Sequence, residues 1–279
     1  MTIEAYAKIN LTLEVLGKRP DGYHALRSVV IPITLSDTIR LEEASAISSD
    51  FAAGDDLCVK AAKAILPAGK GVRIEIEKRI PAGGGLGGGS ADAAAVLVAL
   101  NEMHSLGKTI GELLEIAASV GSDVPALVLS RTCGPVLMEG RGEKVSPLGV
   151  AFPRACHIVL VNPGVHSSTK EVFSKCISHV AEDGKILYNM LSALESGDVR
   201  RMSDALSNDL ERPAMALHPE IACAAESLRE ATRSRVAMSG SGSTVFSFAE
   251  SREAADEAVR SMAAKGMWAR CAMGYCPVV

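Results

Sequence analysis

Polar and apolar residues alternate along the first positions of the chain. Ile3, Ala5, Ala7, Ile9, Leu11 and Leu13 share one face, and Glu4, Tyr6, Lys8, Asn10 and Thr12 the other. That period of two predicts a β-strand. The run Lys-Arg-Pro-Asp-Gly at 18–22 supplies a turn. Further strands are predicted over 26–33 and 38–42, then a helix over 57–66. Residues 72–80 alternate again, with Val72, Ile74 and Ile76 opposite Arg73, Glu75 and Glu77. Such a strand is half-solvated and antiparallel. Ile110, Leu113, Leu114, Ala117 and Val120 form a helical stripe. Proline and glycine cluster at 146–153, a domain boundary. Beyond it the pattern predicts a strand over 157–161, several helices, strands near 236 and over 244–248, a helix over 252–264 and a last strand over 268–273. Strands and helices mix without regular βαβ alternation, which places the chain in the α+β class.

Between the strand at 72–80 and an apolar, helix-forming run from Ala91 to Met103 lie six glycines in seven residues, Gly83 to Gly89. Such a run gives up side-chain burial and costs backbone entropy. It is expected to offer bare backbone for something to approach closely. A glycine loop feeding a helix presents free N–H groups and the positive end of the helix dipole, a site for phosphate. The P-loop reading fails, because Ser90 stands where its lysine belongs. Gly83, Gly85 and Gly88 match a dinucleotide fingerprint. However, the alternating strand before them is not the doubly buried parallel strand that such a domain supplies. A linker would not join a strand directly to a helix.

Other segments can carry chemistry. Lys8 and Asn10 share a face, either as a solvated edge or as part of a site. Asp123, before Val-Pro, reads as an N-cap that can also face a site. In Asp21-Gly-Tyr-His24 a turn needs Asp-Gly but not Tyr-His. In a chain that is only 4% aromatic, that pair suggests a flat ligand, stacked and hydrogen-bonded. Met238-Ser-Gly-Ser-Gly-Ser243 is a hairpin turn or a second phosphate loop.

Composition narrows the classes. A net charge of −4 gives no basic field for nucleic acid. Seven cysteines, odd in number and without Cys-x-x-Cys, fit a reduced cytoplasm better than a disulfide framework. The six histidines form no zinc-ligand spacing. No leader segment or membrane span is predicted.

Pro81, Gly85, Leu86, Gly87, Ser90 and Ala91 match, in order, the Pro-x-x-x-Gly-Leu-Gly-x-x-Ser-Ala pattern of the GHMP kinases. The chain resembles that family from Ala5 to about Phe248. Ala7-Lys-Ile-Asn10, Asp21-Gly-Tyr-His24, Gly121-Ser-Asp-Val-Pro125 and Ser239-Gly-Ser-Gly242 resemble its branch that phosphorylates 4-diphosphocytidyl-2-C-methyl-D-erythritol. The resemblance implies the two-domain GHMP kinase fold. Residues 1–150 would form a ribosomal-protein-S5-domain-2-like ATP domain and 151–279 a ferredoxin-like α/β-plait domain.

It further implies ATP as co-substrate with Mg²⁺. ATP would lie on Ala82, Gly83, Gly84, Gly85, Leu86, Gly87, Gly88, Gly89, Ser90, Ala91 and Asp92, with Gly240, Ser241 and Gly242 completing the pocket. Ser90 is the one candidate metal ligand. Asp123 would be the base, held charged by Lys8. Asn10, Tyr23, His24, Asp123, Thr169 and Phe173 would contact the acceptor, with Tyr23 and Phe173 sandwiching the cytosine and His24 reading its edge. A monomer or weak homodimer without membrane or nucleic-acid partners is implied. Pro163–Thr169 and Asn208–Glu211 also resemble the branch, the latter with no chemical role. Ser243-Thr244 and Leu127 depart from it. The rivals are homoserine or mevalonate kinases, whose acceptors carry no flat base, a dinucleotide-binding oxidoreductase, and a non-catalytic sensor. The joint presence of Lys8 and Asp123 argues against the last.

Overall fold

The computed structural model describes residues 1–50, 56–176 and 184–277. Strand β1 (Thr2–Lys18) pairs antiparallel with β2 (His24–Ala44). The two strands expected at 26–33 and 38–42 are thus one strand of 21 residues. Ser36 and Asp37 fall in the gap between those two expected strands. In the structure the strand passes through it with a register shift opposite Tyr6 and Lys8, and the Asp37 carboxylate accepts the backbone N–H groups of Arg79 and Ile80. A two-residue β3 (Ser48–Ser49) and helix α1 (Leu57–Ile65) lead to β4 (Gly71–Glu77). β4 pairs antiparallel with β2 from Thr38↔Glu77 to Ala44↔Gly71, as its alternation predicts.

Helix α2 (Gly88–Met103) starts inside the glycine run, three residues before the expected Ala91. It is followed by α3 (Ile110–Val120) and α4 (Val124–Cys133). A hairpin that the alternation did not reveal, β5 (Val136–Gly140) with β6 (Lys144–Pro147), joins the outer part of β2. The chain then crosses to a second sheet at β7 (His157–Asn162). Helices α5 (Thr169–Lys175), α6 (Lys185–Ser196) and α7 (Val199–Asp204) follow, then a two-residue β8 (Ser207–Asn208), α8 (Glu211–Leu217) and α9 (Pro219–Thr232). Strands β9 (Val236–Met238) and β10 (Val245–Ala249), helix α10 (Arg252–Ala264) and β11 (Trp268–Met273) complete the order. The second sheet runs β11-β7-β10-β9, all antiparallel. With α9 and α10 packed on it, this is the ferredoxin-like plait.

The two sheets are not independent. β8 leaves the second half of the chain and pairs parallel with β1, Leu13 opposite Asn208. Near the other end, Gly274 bridges to Ile33 and the Tyr275 N–H donates to the Pro32 carbonyl. One apolar cluster joins Ala7, Ile9 and Leu11 of β1 to Ile158, Leu160 and Phe246 of the second sheet. Burial of each such large side chain stabilises by about 1.5–3 kcal/mol. β1 therefore lies inside the molecule. Lys8, Asn10, Thr12 and Glu14 are all at most 4% exposed, so the solvated-edge reading fails. Buried charge of this kind needs partners. Glu14 finds one in Arg27, whose guanidinium forks onto both carboxylate oxygens at 2.9 Å. No helix among the described residues is long and apolar enough to cross a membrane. All seven cysteines are free.

Candidate active site

A cleft of about 580 Å³ opens where the two sheets meet. The glycine run forms one wall. It leaves β4, turns at Gly83 to Gly87 and enters α2, whose N-cap is Gly87 at φ +70°. No side chain caps this helix, so its first N–H groups remain available, as at any uncapped N-terminus. Gly88, Gly89 and Ser90 line the cleft there.

Part of what approaches the bare backbone is the protein itself. A Cβ on Gly85 would lie 2.1 Å from the Ser239 carbonyl oxygen, and Gly85 has φ +76°. A Cβ on Gly83 would strike His166, one on Gly84 would strike Asn162 and Thr244, and one on Gly88 would press on Ile80. Only Gly89 has open space, with Leu57 at 3.9 Å. Packing therefore requires most of the run, contrary to the expectation that only a ligand would.

The second glycine loop is also a hairpin connection, between β9 and β10. The Ser239 hydroxyl donates to the Gly85 carbonyl at 2.9 Å, and the Thr244 N–H donates to the Gly84 carbonyl at 3.1 Å. The two loops are thus stitched together.

Lys8 reaches between them. Its ammonium donates to Asn10 Oδ1 at 2.6 Å and to the Gly85 carbonyl at 2.9 Å. Asp123 Oδ2 lies 3.8 Å away. Burial pulls the Lys8 ammonium below the ordinary lysine range, and Asp123 opposes that pull. Asp123 stands at the N-cap of α4 but makes no capping bond. Its carboxylate is one-third exposed, on the cleft. Asn10 is engaged at both ends of its amide, with Nδ2 donating to the Ser28 hydroxyl at 2.7 Å. That hydroxyl in turn donates to the Thr12 carbonyl. Ser28 is fully buried and belongs to no motif, so sequence reasoning passed over it.

A second ion cluster sits where β4 gives way to the loop. Lys78 donates to Asp37 and, at 2.6 Å, to Asp92 Oδ2. Burial pushes the Asp92 carboxyl up, against the pull of Lys78. Burial works against the Lys78 charge, but the two carboxylates outweigh it and hold its pKa up. Asp92 Oδ1 is buried without a hydrogen-bond partner among the described residues. Lys78 and Asp37 were not expected at the site, and an alternating strand gave no hint of them.

Most of the expected residues meet in the cleft, but four do not. Leu86 and Ala91 are buried in the cores. Leu86 reaches the site only through its carbonyl, which accepts the Lys8 N–H at 3.0 Å. Tyr23 and His24 lie outside the cleft lining. Tyr23 is 58% exposed, with Arg141 over its ring at 5.3 Å. His24 stacks on Phe173, ring centroids 5.4 Å apart. It is therefore His24 that faces Phe173 here, and a cytosine sandwiched by Tyr23 and Phe173 needs those rings rearranged. The Thr169 hydroxyl meets Ser241 Oγ at 2.9 Å, beside the second glycine loop. The Asn208–Glu211 motif lies behind that loop.

Family models for the GHMP kinase N-terminal domain and the GHMP kinase C-terminal domain match residues 56–131 and 190–266. The chain is 40% identical to a 4-diphosphocytidyl-2-C-methyl-D-erythritol kinase of Symbiobacterium thermophilum, over 91% of this chain and 92% of that one. It is 38% identical to the protein of the same name in Brevibacillus brevis, over 90% and 88%. A crystal structure of 4-(cytidine 5'-diphospho)-2C-methyl-D-erythritol kinase superimposes with TM-score 0.80 at 33% identity, over 99% of this chain and 100% of that one. Mevalonate kinase of L. major superimposes with TM-score 0.71 at 18% identity, over 100% and 97%, a likeness of fold alone. The chain belongs to the GHMP kinases and, within them, to the 4-diphosphocytidyl-2-C-methyl-D-erythritol kinase family.

Proposed function

We propose that this chain transfers the γ-phosphoryl group of ATP to the 2-hydroxyl of 4-diphosphocytidyl-2-C-methyl-D-erythritol, giving the 2-phosphate and ADP in the non-mevalonate route to isoprenoids. One observation carries the reading. A buried lysine and a cleft-facing carboxylate, Lys8 and Asp123, stand 3.8 Å apart beside two glycine loops. In phosphoryl transfer the protein positions the partners and stabilises charge. The ATP phosphates lie along Gly83 to Ser90 and against Gly240 to Gly242. Asp123 accepts the proton of the attacking hydroxyl as its oxygen bonds to the γ-phosphorus and the bond to ADP breaks. Lys8, fixed by Asn10 and Gly85, holds the Asp123 carboxylate in place. Phe173, His24 and Tyr23 receive the cytosine, and Asn10 and Thr169 flank the acceptor.

Mg²⁺ fits the donor set. The Ser90 hydroxyl and the orphaned Asp92 Oδ1 belong to the same cleft. Hydroxyl and carboxylate oxygens beside substrate phosphates are what this ion takes. Bound there, it would neutralise phosphate charge. We place the enzyme in the cytoplasm as a monomer or weak homodimer.

ADP release with diphosphocytidyl methylerythritol, homoserine and mevalonate, measured side by side, tests the proposal. Turnover with the first alone is expected. Turnover with either of the others alone would assign the chain a different acceptor.

A further inference from the structure

The Asn208-Asp-Leu-Glu211 motif takes no part in the chemistry above, yet two of its three polar side chains, Asn208 and Glu211, grip the second glycine loop and the strand that enters it. Asn208 Nδ2 donates to two carbonyls, Met238 at 2.7 Å and Gly240 at 2.8 Å. Its Oδ1 accepts the Leu210 N–H at 2.9 Å. Glu211 Oε1 accepts the Met238 N–H at 2.9 Å. Asp209 Oδ2 accepts the Val15 N–H at 2.8 Å, which ties the motif to β1.

The bond to Gly240 has a directional consequence. The Gly240 carbonyl and the Ser241 N–H belong to one peptide plane. That peptide is trans, so the two groups point in opposite directions. Asn208 holds the carbonyl from behind and lies outside the cleft lining, whereas Gly240 and Ser241 line the cleft. The Ser241 N–H is thereby turned away from Asn208, and no group among the described residues accepts it. The Gly240 N–H likewise has no acceptor among the described residues. Lys8 Nζ would come within 3.2 Å of a Cβ on Gly240, so these donors sit beside the ammonium that reaches between the loops.

We infer that Asn208 is a positioning residue that locks the Gly240–Ser241 peptide so that its N–H points at a phosphate of the bound nucleotide. Free rotation of that plane would aim a carbonyl oxygen at the same anion, and Asn208 excludes this. The inference rests on the kinase reading, in which Gly240 to Gly242 meet ATP.

The test uses the full chain. Asn208→Asp keeps the oxygen that accepts from Leu210 and replaces both donated bonds by repulsion between a carboxylate and two carbonyls. Glu211→Ala serves as a control, since it removes a support of Met238 without touching the Gly240–Ser241 plane. ATP and AMP binding are measured by calorimetry, with kcat, KM and Tm for each variant. Asn208→Asp is expected to weaken ATP binding or kcat/KM for ATP by about 10- to 100-fold, the scale of one hydrogen bond to a charged group, with AMP binding and the acceptor KM little changed. Glu211→Ala is expected to lower Tm and leave ATP kinetics within about threefold. If Asn208→Asp does not fold, Asn208→Ala and Asn208→Ser carry the same comparison.

Equal losses for ATP and AMP, or the same ATP loss in Glu211→Ala, would reduce Asn208 to a structural role. Unchanged ATP parameters in a folded Asn208→Asp would overturn the inference outright. Normal ATP binding by the unmodified chain without turnover on diphosphocytidyl methylerythritol would sink the acceptor assignment only. Failure of the unmodified chain to bind ATP would remove both.

Discussion

The two ends of the cleft are built differently. At the transfer end, Lys8, Asn10 and Ser28 are buried and joined by hydrogen bonds of 2.6–2.9 Å, with two glycine loops stitched over them. At the other end, Tyr23 is 58% exposed and its neighbour His24 stacks on Phe173. In the proposed reaction, charge shifts during phosphoryl transfer only at the first end. Donors fixed in advance there cost no reorganisation when the charge develops. A stacked base needs only a flat face, and rings on the surface can move to provide it. Chemistry is therefore expected to be sensitive to single atoms at one end, and affinity to be graded at the other.

The largest effect should come from Asp123. Asp123→Asn is expected to bind ATP and turn over at least about a hundredfold more slowly, the scale of a lost general base. Near-normal kcat would remove it from the reaction and blur the contrast between the ends. Ser28→Ala probes how far the fixed region extends. It leaves Asn10 Nδ2 buried without its acceptor, a loss of about 1–3 kcal/mol. A fall of about tenfold in kcat, restored by Ser28→Thr, is expected, with the acceptor KM unchanged. A fall in Tm without any change in kcat would confine Ser28 to the fold.

At the exposed end, Tyr23→Ala should raise the acceptor KM by about two- to tenfold, from about 0.5–1.5 kcal/mol of stacking. It should leave kcat and the ATP KM alone, and an equal loss for ATP would remove Tyr23 from base recognition. The smallest effect concerns pH. Because burial lowers the Lys8 pKa, its charge is lost on the alkaline side before pH reaches the ordinary lysine value of about 10.4. The kcat profile should fall in that range. A limb at or above the ordinary value would mean that the Lys8 charge is not used.

That Lys8, Asn10, Asp123 and the two glycine loops meet in one cleft was largely legible in the sequence. Glycine, lysine and aspartate in those patterns have few other uses, and alternation put Lys8 and Asn10 on one face. What alternation could not say was that this face is buried, because β8 arrives from nearly two hundred residues further on. The Lys78–Asp37–Asp92 cluster stayed hidden for the same reason. Its members are 14 and 41 residues apart and each looks like ordinary strand or helix polarity. Asp37 lies in the gap left between the two strands expected at 26–33 and 38–42, where its carboxylate satisfies loop N–H groups inside one continuous strand. At the end proposed to receive the base, the sequence named the rings and not their arrangement. Which ring faces Phe173 depends on a turn geometry that no period encodes. For the plait, short strands and amphipathic helices gave the elements and the α+β class, while their order in the sheet came only with the family resemblance.

The tight fit of Gly85 against the Ser239 carbonyl has a consequence for how mutational data on such enzymes are interpreted. An alanine scan of the run scored by activity alone would rank Gly85 among the nucleotide contacts. Its failure would in fact arise from steric exclusion between the chain's own segments, at a backbone angle that alanine resists. Gly89, with room for a methyl group, would pass the same scan however close its amide lies to phosphate. Loss of growth or turnover across this stretch thus reports mostly on fit within the protein, and a parallel readout of folded yield is needed before any glycine there is assigned to ATP.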